Sequence, residues 1–222
     1  MSRHAGLRGG VAALALALGV PVTAAAAQGL ADVCRPLEQP AVGSWARYRL
    51  RGAAGDSSEV RLALVGRERV ADREYVWQES VVGTPAGDAV IQSLVQASPY
   101  DPTAIRRAIV RPPGQPAMEV PPSALAVLQT GAQGATGLDA CRRGEAVGWE
   151  TITVPAGPVR ALHVRYAREA RTADVWLAPG IPFAITKTVV AGAAPAERVE
   201  LVLVAHGRGA TPTMPLPGPA RP

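Results

Sequence analysis

The sequence is poor in side chains that carry chemistry. Only three histidines are present, His4, His163 and His206, with two cysteines, one phenylalanine and one lysine. Metal sites and imidazole acid–base pairs need ligands at close spacing, and no His, Cys or carboxylate cluster in the sequence supplies them. No metal and no cofactor is therefore expected. No G-x-S-x-G elbow occurs, and the glycines at 131, 134 and 137 are followed by Leu138-Asp139, not by the Lys-Ser or Lys-Thr of a phosphate loop. Gly55-Asp56-Ser57 matches the opening block of one class of serine esterases. These enzymes also need Asp three places before a histidine, where this sequence has Leu203 and Arg160. The triplet reads as a turn, and the protein is expected not to be an enzyme.

Aromatics make up 4% of the chain, so its core must be built from small aliphatic residues. The formal charge is +5, too weak for a nucleic-acid binder without a basic patch or motif. The longest apolar run, Val11 to Val20, is half of the roughly 20 residues that a membrane helix needs. It follows Arg3 and Arg8, breaks at Pro21 and relaxes into Ala24-Ala25-Ala26-Ala27, where Ala25 and Ala27 fit the A-x-A cleavage pattern. Residues 1–27 thus read as a signal peptide, leaving no transmembrane span after cleavage and a periplasmic or secreted product. In that oxidising compartment Cys34 and Cys141 are expected to pair, closing a loop of about 108 residues.

Alternation of period two dominates the remainder. Ser44 to Arg51 and Val60 to Leu64 flank turn chemistry at 52–57 and read as a hairpin. Gly66-Arg67-Glu68 reads as the next turn, and Val70 to Ser80 as the next strand. Ala89 to Ala97 fits either a strand or a short helix, Ile105 to Arg111 a strand, and Ala124 to Gln129 a helix capped by Ser123. Five further runs form a meander: 147–154, 159–167, 171–177, 183–190 and 198–205. The expected organisation is a signal peptide at 1–27, a lead-in at 28–43, one β-rich domain at 44–206 and a disordered Pro-rich tail at 207–222.

One stretch carries a family resemblance. Gly148-Trp149-Glu150-Thr151 through Pro155-Ala156-Gly157, then Val175-Trp176-Leu177 and Ile181-Pro182-Phe183 to Lys187, resembles a run found in exported bacterial β-rich proteins of uncharacterised function. These are similar in layout to the half-barrel of the LolA/LolB lipoprotein carriers. The resemblance implies a mainly β fold, a curved antiparallel sheet with one or two short helices on its concave face; a β-sandwich is the alternative. No carrier lipobox is present, and no carrier ligand contact maps onto a residue here.

A curved sheet with small aliphatic residues on its concave face encloses an apolar pocket. The pocket residues expected are Leu62, Leu64, Leu162, Val164, Tyr166, Val199 and Leu201, with Leu203 beside them. Two functions follow: an exported protein that binds or carries a lipid or other apolar ligand, or an envelope protein–protein interaction module. Trp45, Trp77 and Trp149 are the candidate contacts for a protein partner.

Overall fold

The structure is a computed structural model that describes residues 29–35, 41–52, 55–98, 100–132, 137–168, 171–191, 194 and 198–218. The expected signal peptide at 1–27 lies outside the described residues. Eleven strands form one antiparallel sheet, curved and unclosed. They are β1 (Trp45–Arg51), β2 (Ser57–Val70), β3 (Arg73–Thr84), β4 (Gly87–Ala97), β5 (Tyr100–Arg111), β6 (Met118–Glu119), β7 (Glu145–Val154), β8 (Gly157–Arg168), β9 (Arg171–Leu177), β10 (Ile185–Ala191) and β11 (Val199–Gly207). Helices are α1 at 29–34, α2 (Pro122–Ala132) and α3 (Gly137–Arg143).

The strand order, β6-β5-β4-β3-β2-β1-β11-β10-β9-β8-β7, reveals two meanders joined at their inner strands. The chain starts at the centre, walks to one edge, crosses by α2 and α3 to the other edge, and returns to pair β11 with β1. Curvature brings distant strands together. The Ala156 N–H in the β7–β8 turn donates to the Leu203 carbonyl of β11, 3.3 Å away, although three strands separate β7 from β11 in the sheet. β-Bulges at Arg47/Tyr48 and Ile185/Lys187 are the local bends that such curvature requires.

Most strand expectations match these elements, and the open segment 89–97 is strand β4. Three differ. The expected turn at 66–68 lies inside β2, which runs on to Val70 with a bulge between Leu64 and Gly66; a Cβ at Gly66 would lie 2.6 Å from Leu216 Cδ1, so the close packing there needs glycine. The lead-in contains α1, whose Val33 is 1% exposed in the core. The expected disordered tail is, over 208–218, laid on the convex face of the sheet, with Met214 4% exposed. Proline removes ladder donors but does not prevent docking by side-chain contacts.

Alternation explains how the sheet buries both faces. On the concave side, Tyr48, Leu162, Val164, Val175, Leu177 and Leu203 pack under α1 and α3. Leu64, Val76, Val95, Ile105 and Ala108 form a second concave cluster under Leu125 and Leu128 of α2. Their neighbours Ala63, Val65, Trp77 and Leu94 face the convex side and pack with Trp45, Ala210 and Leu216. Cys34 and Cys141 are bonded, tying α1 to α3 across a sequence separation of 107 residues.

Two predictions follow from these constraints. Replacing both cysteines by alanine is expected to lower the urea unfolding midpoint, with a loss of up to about 5 kcal/mol on the chain-entropy account for a loop of this size. Ala71, exposed in the β2–β3 turn, has φ 52°, a left-handed conformation that costs an L residue roughly 1–2 kcal/mol. Ala71→Gly should raise the same midpoint, by up to about 1 kcal/mol after glycine's backbone-entropy cost.

Candidate functional site

Between β9 and β10 runs Ala178-Pro179-Gly180-Ile181-Pro182-Phe183-Ala184, and this loop forms one wall of a cavity. The sequence pattern predicts a strand from Phe183 onward; β10 instead begins at Ile185. Phe183 and Ala184 both adopt the left-handed region, at φ 63° and 56°. The loop is pinched shut by two backbone hydrogen bonds, Ala178 N–H to the Ala184 carbonyl at 2.8 Å and Ala184 N–H to the Ile181 carbonyl at 2.9 Å. Tyr48, wholly buried on β1, donates its hydroxyl to the Ile185 carbonyl at 3.3 Å and lies 3.5 Å from the Pro182 carbonyl. Burial, with a smaller contribution from Tyr100, pushes the Tyr48 phenol far above its ordinary range, so it stays a donor. Consecutive left-handed residues without glycine are strained, and such strain persists only where the surroundings over-determine it.

What the loop achieves is the placement of Phe183. Its side chain packs against both concave clusters, one from each arm of the sheet. Around it opens a cavity of about 390 Å³, within the range of small-molecule sites. Val33 of α1, Leu64 of β2, Tyr100 of β5 and Ile181 of the loop supply apolar surface, while Ser44, His206 and Arg208 stand among the lining polar groups. Among the described residues the lining contains no carboxylate. Tyr100 donates its hydroxyl to Gln78 Oε1, and burial pushes its phenol far above the ordinary range too.

A second link crosses the groove. Arg142 of α3 reaches Asp101 of β5 at 3.4 Å, so a helix on one arm holds a strand of the other. Burial raises the Asp101 pKa, but hydrogen bonds from Thr103 and the charge and hydrogen bond of Arg142 outweigh it and hold the carboxyl below its ordinary value.

Of the residues expected in the pocket, Leu64 lines this cavity. Leu162, Val164, Tyr166 and Leu203 are sealed in the adjoining core, and Leu62 and Leu201 pack against that core. Val199 is 38% exposed. The reason is physical: α1 and α3, joined by the disulfide, cover the concave face of the β8–β9 arm and fill it. Of the tryptophans, Trp77 is 2% exposed and Trp45 packs in the convex cluster, whereas Trp149 is 37% exposed beside Gly29 of α1. Sequence reasoning missed Val33, Tyr100, Ile181 and Phe183. The usable signal was the pair of prolines around Ile181, which reads as a loop and not as the start of a strand.

Residues of the resemblance run face both ways: Val175, Leu177 and Phe183 pack in the concave core, while others, with their neighbours, build the outer face of the second arm. His163 stacks on Trp176 with centroids 4.5 Å apart, and Lys187 Nζ lies 5.3 Å over the same indole ring. Asp174 Oδ1 is 2.6 Å from His163 Nε2, Trp176 Nε1 donates to Glu150, and Lys187 pairs with Glu200 at 3.0 Å. Every one of these groups is used by a neighbour. Together they form a polar ladder that caps the convex face. No protein-family model and no curated protein sequence matches the chain. The fold is one curved, unclosed antiparallel sheet with few short helices, a half-barrel in layout. Among solved structures it is similar to a Bacteroides fragilis protein with a YmcC-like fold, at 12% identity over 77% of this chain and 98% of that one, TM-score 0.40. It is also similar to the MucA/MucB complex of Pseudomonas aeruginosa, at 15% identity over 86% of this chain and 59% of that one, TM-score 0.39. A Vibrio parahaemolyticus domain assigned to outer-membrane lipoprotein sorting gives 11% identity over 82% and 93%, TM-score 0.34. These likenesses concern layout alone and say nothing of ligand or partner.

The Asp101 link gives a pH prediction. Its depressed pKa means that the stabilisation is present above the ordinary value of 3.8 and is lost as pH falls through the lower folded value. Urea midpoints measured between pH 2 and 6 should fall on acidification for the native chain, and less steeply for Asp101→Asn. Equal slopes would show that the carboxylate does not contribute.

Proposed function

We propose that this is an exported binding protein, not an enzyme, that holds an apolar ligand in the cavity beside Phe183. The observation that carries the reading is the cavity's position: it opens between the two concave clusters, at the point where the strained 178–184 loop inserts the only phenylalanine of the chain. A side chain that merely filled a core would need no such backbone. Phe183 is only half-buried, so its apolar contacts contribute less than the roughly 1.5–3 kcal/mol of a fully buried side chain, against the strain of two left-handed residues. A ligand that offers the same apolar contacts to Leu64, Tyr100 and Ile181 competes with Phe183 for the groove. The disulfide and the reading of residues 1–27 support an oxidising compartment outside the cytoplasm.

The test is native mass spectrometry of the protein purified from the periplasm, together with titration by a dansylated fatty acid. Co-purifying apolar ligand near one-to-one, or saturable probe binding, is expected. Leu64→Trp, which fills the cavity, should weaken probe binding at least tenfold while leaving the circular-dichroism spectrum unchanged. A ligand-free mass with no saturable probe binding would overturn the reading.

A further inference from the structure

The cavity leaves the opposite face of the first arm unexplained. There the sheet presents Glu79 of β3 and Gln92 of β4, a carboxylate and an amide on an outward-facing surface, and both are 0% exposed. Neighbouring strands place them side by side, Glu79 opposite Gln92. Residues 211–218 cover them. Glu79 Oε2 accepts the Thr213 backbone N–H at 2.9 Å, and Gln92 Nε2 donates to the Met214 carbonyl at 2.9 Å and to Glu79 Oε2 at 3.0 Å. Arg61 steadies Glu79 at 3.4 Å. Farther along, Arg107 Nη1 donates to the Gly218 carbonyl at 3.2 Å.

This is a way of reading peptide backbone. Sheet side chains, not ladder bonds, satisfy an N–H and two carbonyls, while side chains of the segment enter apolar ground. Met214 is 4% exposed, and Leu216 packs into the cluster of Ala63, Val65, Tyr75, Trp77 and Leu94, over a Gly66 that leaves it room. Pro212, Pro215 and Pro217 present no N–H, so an extended segment of this composition crosses the sheet with few donors to satisfy. Gln92 Oε1 is buried and makes no hydrogen bond among the described residues, so the resident segment leaves an acceptor of the reader unused.

We propose that the convex face of β2–β5 is a peptide-binding site for an extended, proline-spaced segment, and that residues 211–218 occupy it in cis and can vacate it. Anchors that recognise main chain accept more than one sequence, and the Met214 and Leu216 positions select for apolar side chains separated by proline. The site lies on the other face of the sheet from the cavity and stands whatever the cavity holds.

The experiment uses the full chain with Met214→Asp, which places a charge in the buried position and releases the segment. A fluorescently labelled peptide of residues 211–218 is titrated and followed by anisotropy. Saturable binding to the variant is expected, with binding to the native chain at least tenfold weaker because the tethered segment competes at high effective concentration. Adding Glu79→Ala to the variant should weaken the peptide at least tenfold. Absence of binding to a folded variant, or equal binding to variant and native chain, would overturn the proposal. If the variant does not fold, amide hydrogen exchange on the native chain decides. Exchange of the Thr213 amide well ahead of the β3 and β4 amides supports a segment that leaves on its own. Exchange of all of them together would make the segment an inseparable part of the fold and sink the idea.

Discussion

The pairing of β1 with β11 holds two meanders together that would otherwise be separate, marginal sheets. Its register sets Tyr48 opposite Leu203 and Ala46 opposite His206, with a bulge between Arg47 and Tyr48. Through Tyr48 the pairing reaches the 178–184 loop, because the tyrosine hydroxyl holds the Ile185 carbonyl and thereby the approach to Phe183. Through His206 it reaches the cavity lining. A one-residue slip would turn Tyr48 outward and remove both relations. The fold therefore depends on a contact between the first and last strands, among the most distant in the chain, and the cavity opens beside it.

An eleven-stranded sheet in a chain this poor in aromatics has two large faces to cover and few large side chains to cover them. The molecule divides the work. Helices α1 and α3, fixed by the disulfide, fill the concave side of one arm, and α2 covers the other. On the convex side, residues 208–218 cover one arm and the stack of His163, Trp176 and Lys187 caps the other with charge pairs that tolerate water. The cavity survives where these devices meet. There α1 contributes Val33, and the 178–184 loop contributes Ile181 and Phe183.

How much of this was legible in the sequence follows from the range of each signal. Alternation is local, so the strands of the second meander and the Cys34–Cys141 pair were readable, one from period two and the other from compartment and parity. Face assignments were readable as well, as Leu162, Val164 and Tyr166 do point inward. What stayed hidden was what covers a face. Whether an inward leucine lines a cavity or a filled core is decided by α1 and α3, whose positions come from contacts more than a hundred residues apart. The prolines of 212–217 were misleading for a related reason. They exclude ladder pairing, but they cannot reveal that Glu79 and Gln92 wait on the sheet to bind the chain by other atoms.

The two sites are physically adjacent although they lie on opposite faces. His206, Gly207 and Arg208 line the cavity, and the chain continues from them directly into the segment that crosses the convex side. A hydrogen bond clips this junction: the Ala210 N–H donates to the Gly43 carbonyl at 2.9 Å, while the Gly43 N–H donates to the carbonyl of Leu64, itself a cavity residue, at 2.7 Å. Gly43 has φ 87°, a left-handed backbone conformation that favours glycine at this junction. Two hydrogen bonds therefore connect the cavity wall to the start of the convex segment. Gly43 thus bonds at once to a residue of the cavity lining and to the start of the convex segment, so the residues just before β1 and just after β11, and not the sheet between them, are where the two faces of this molecule meet.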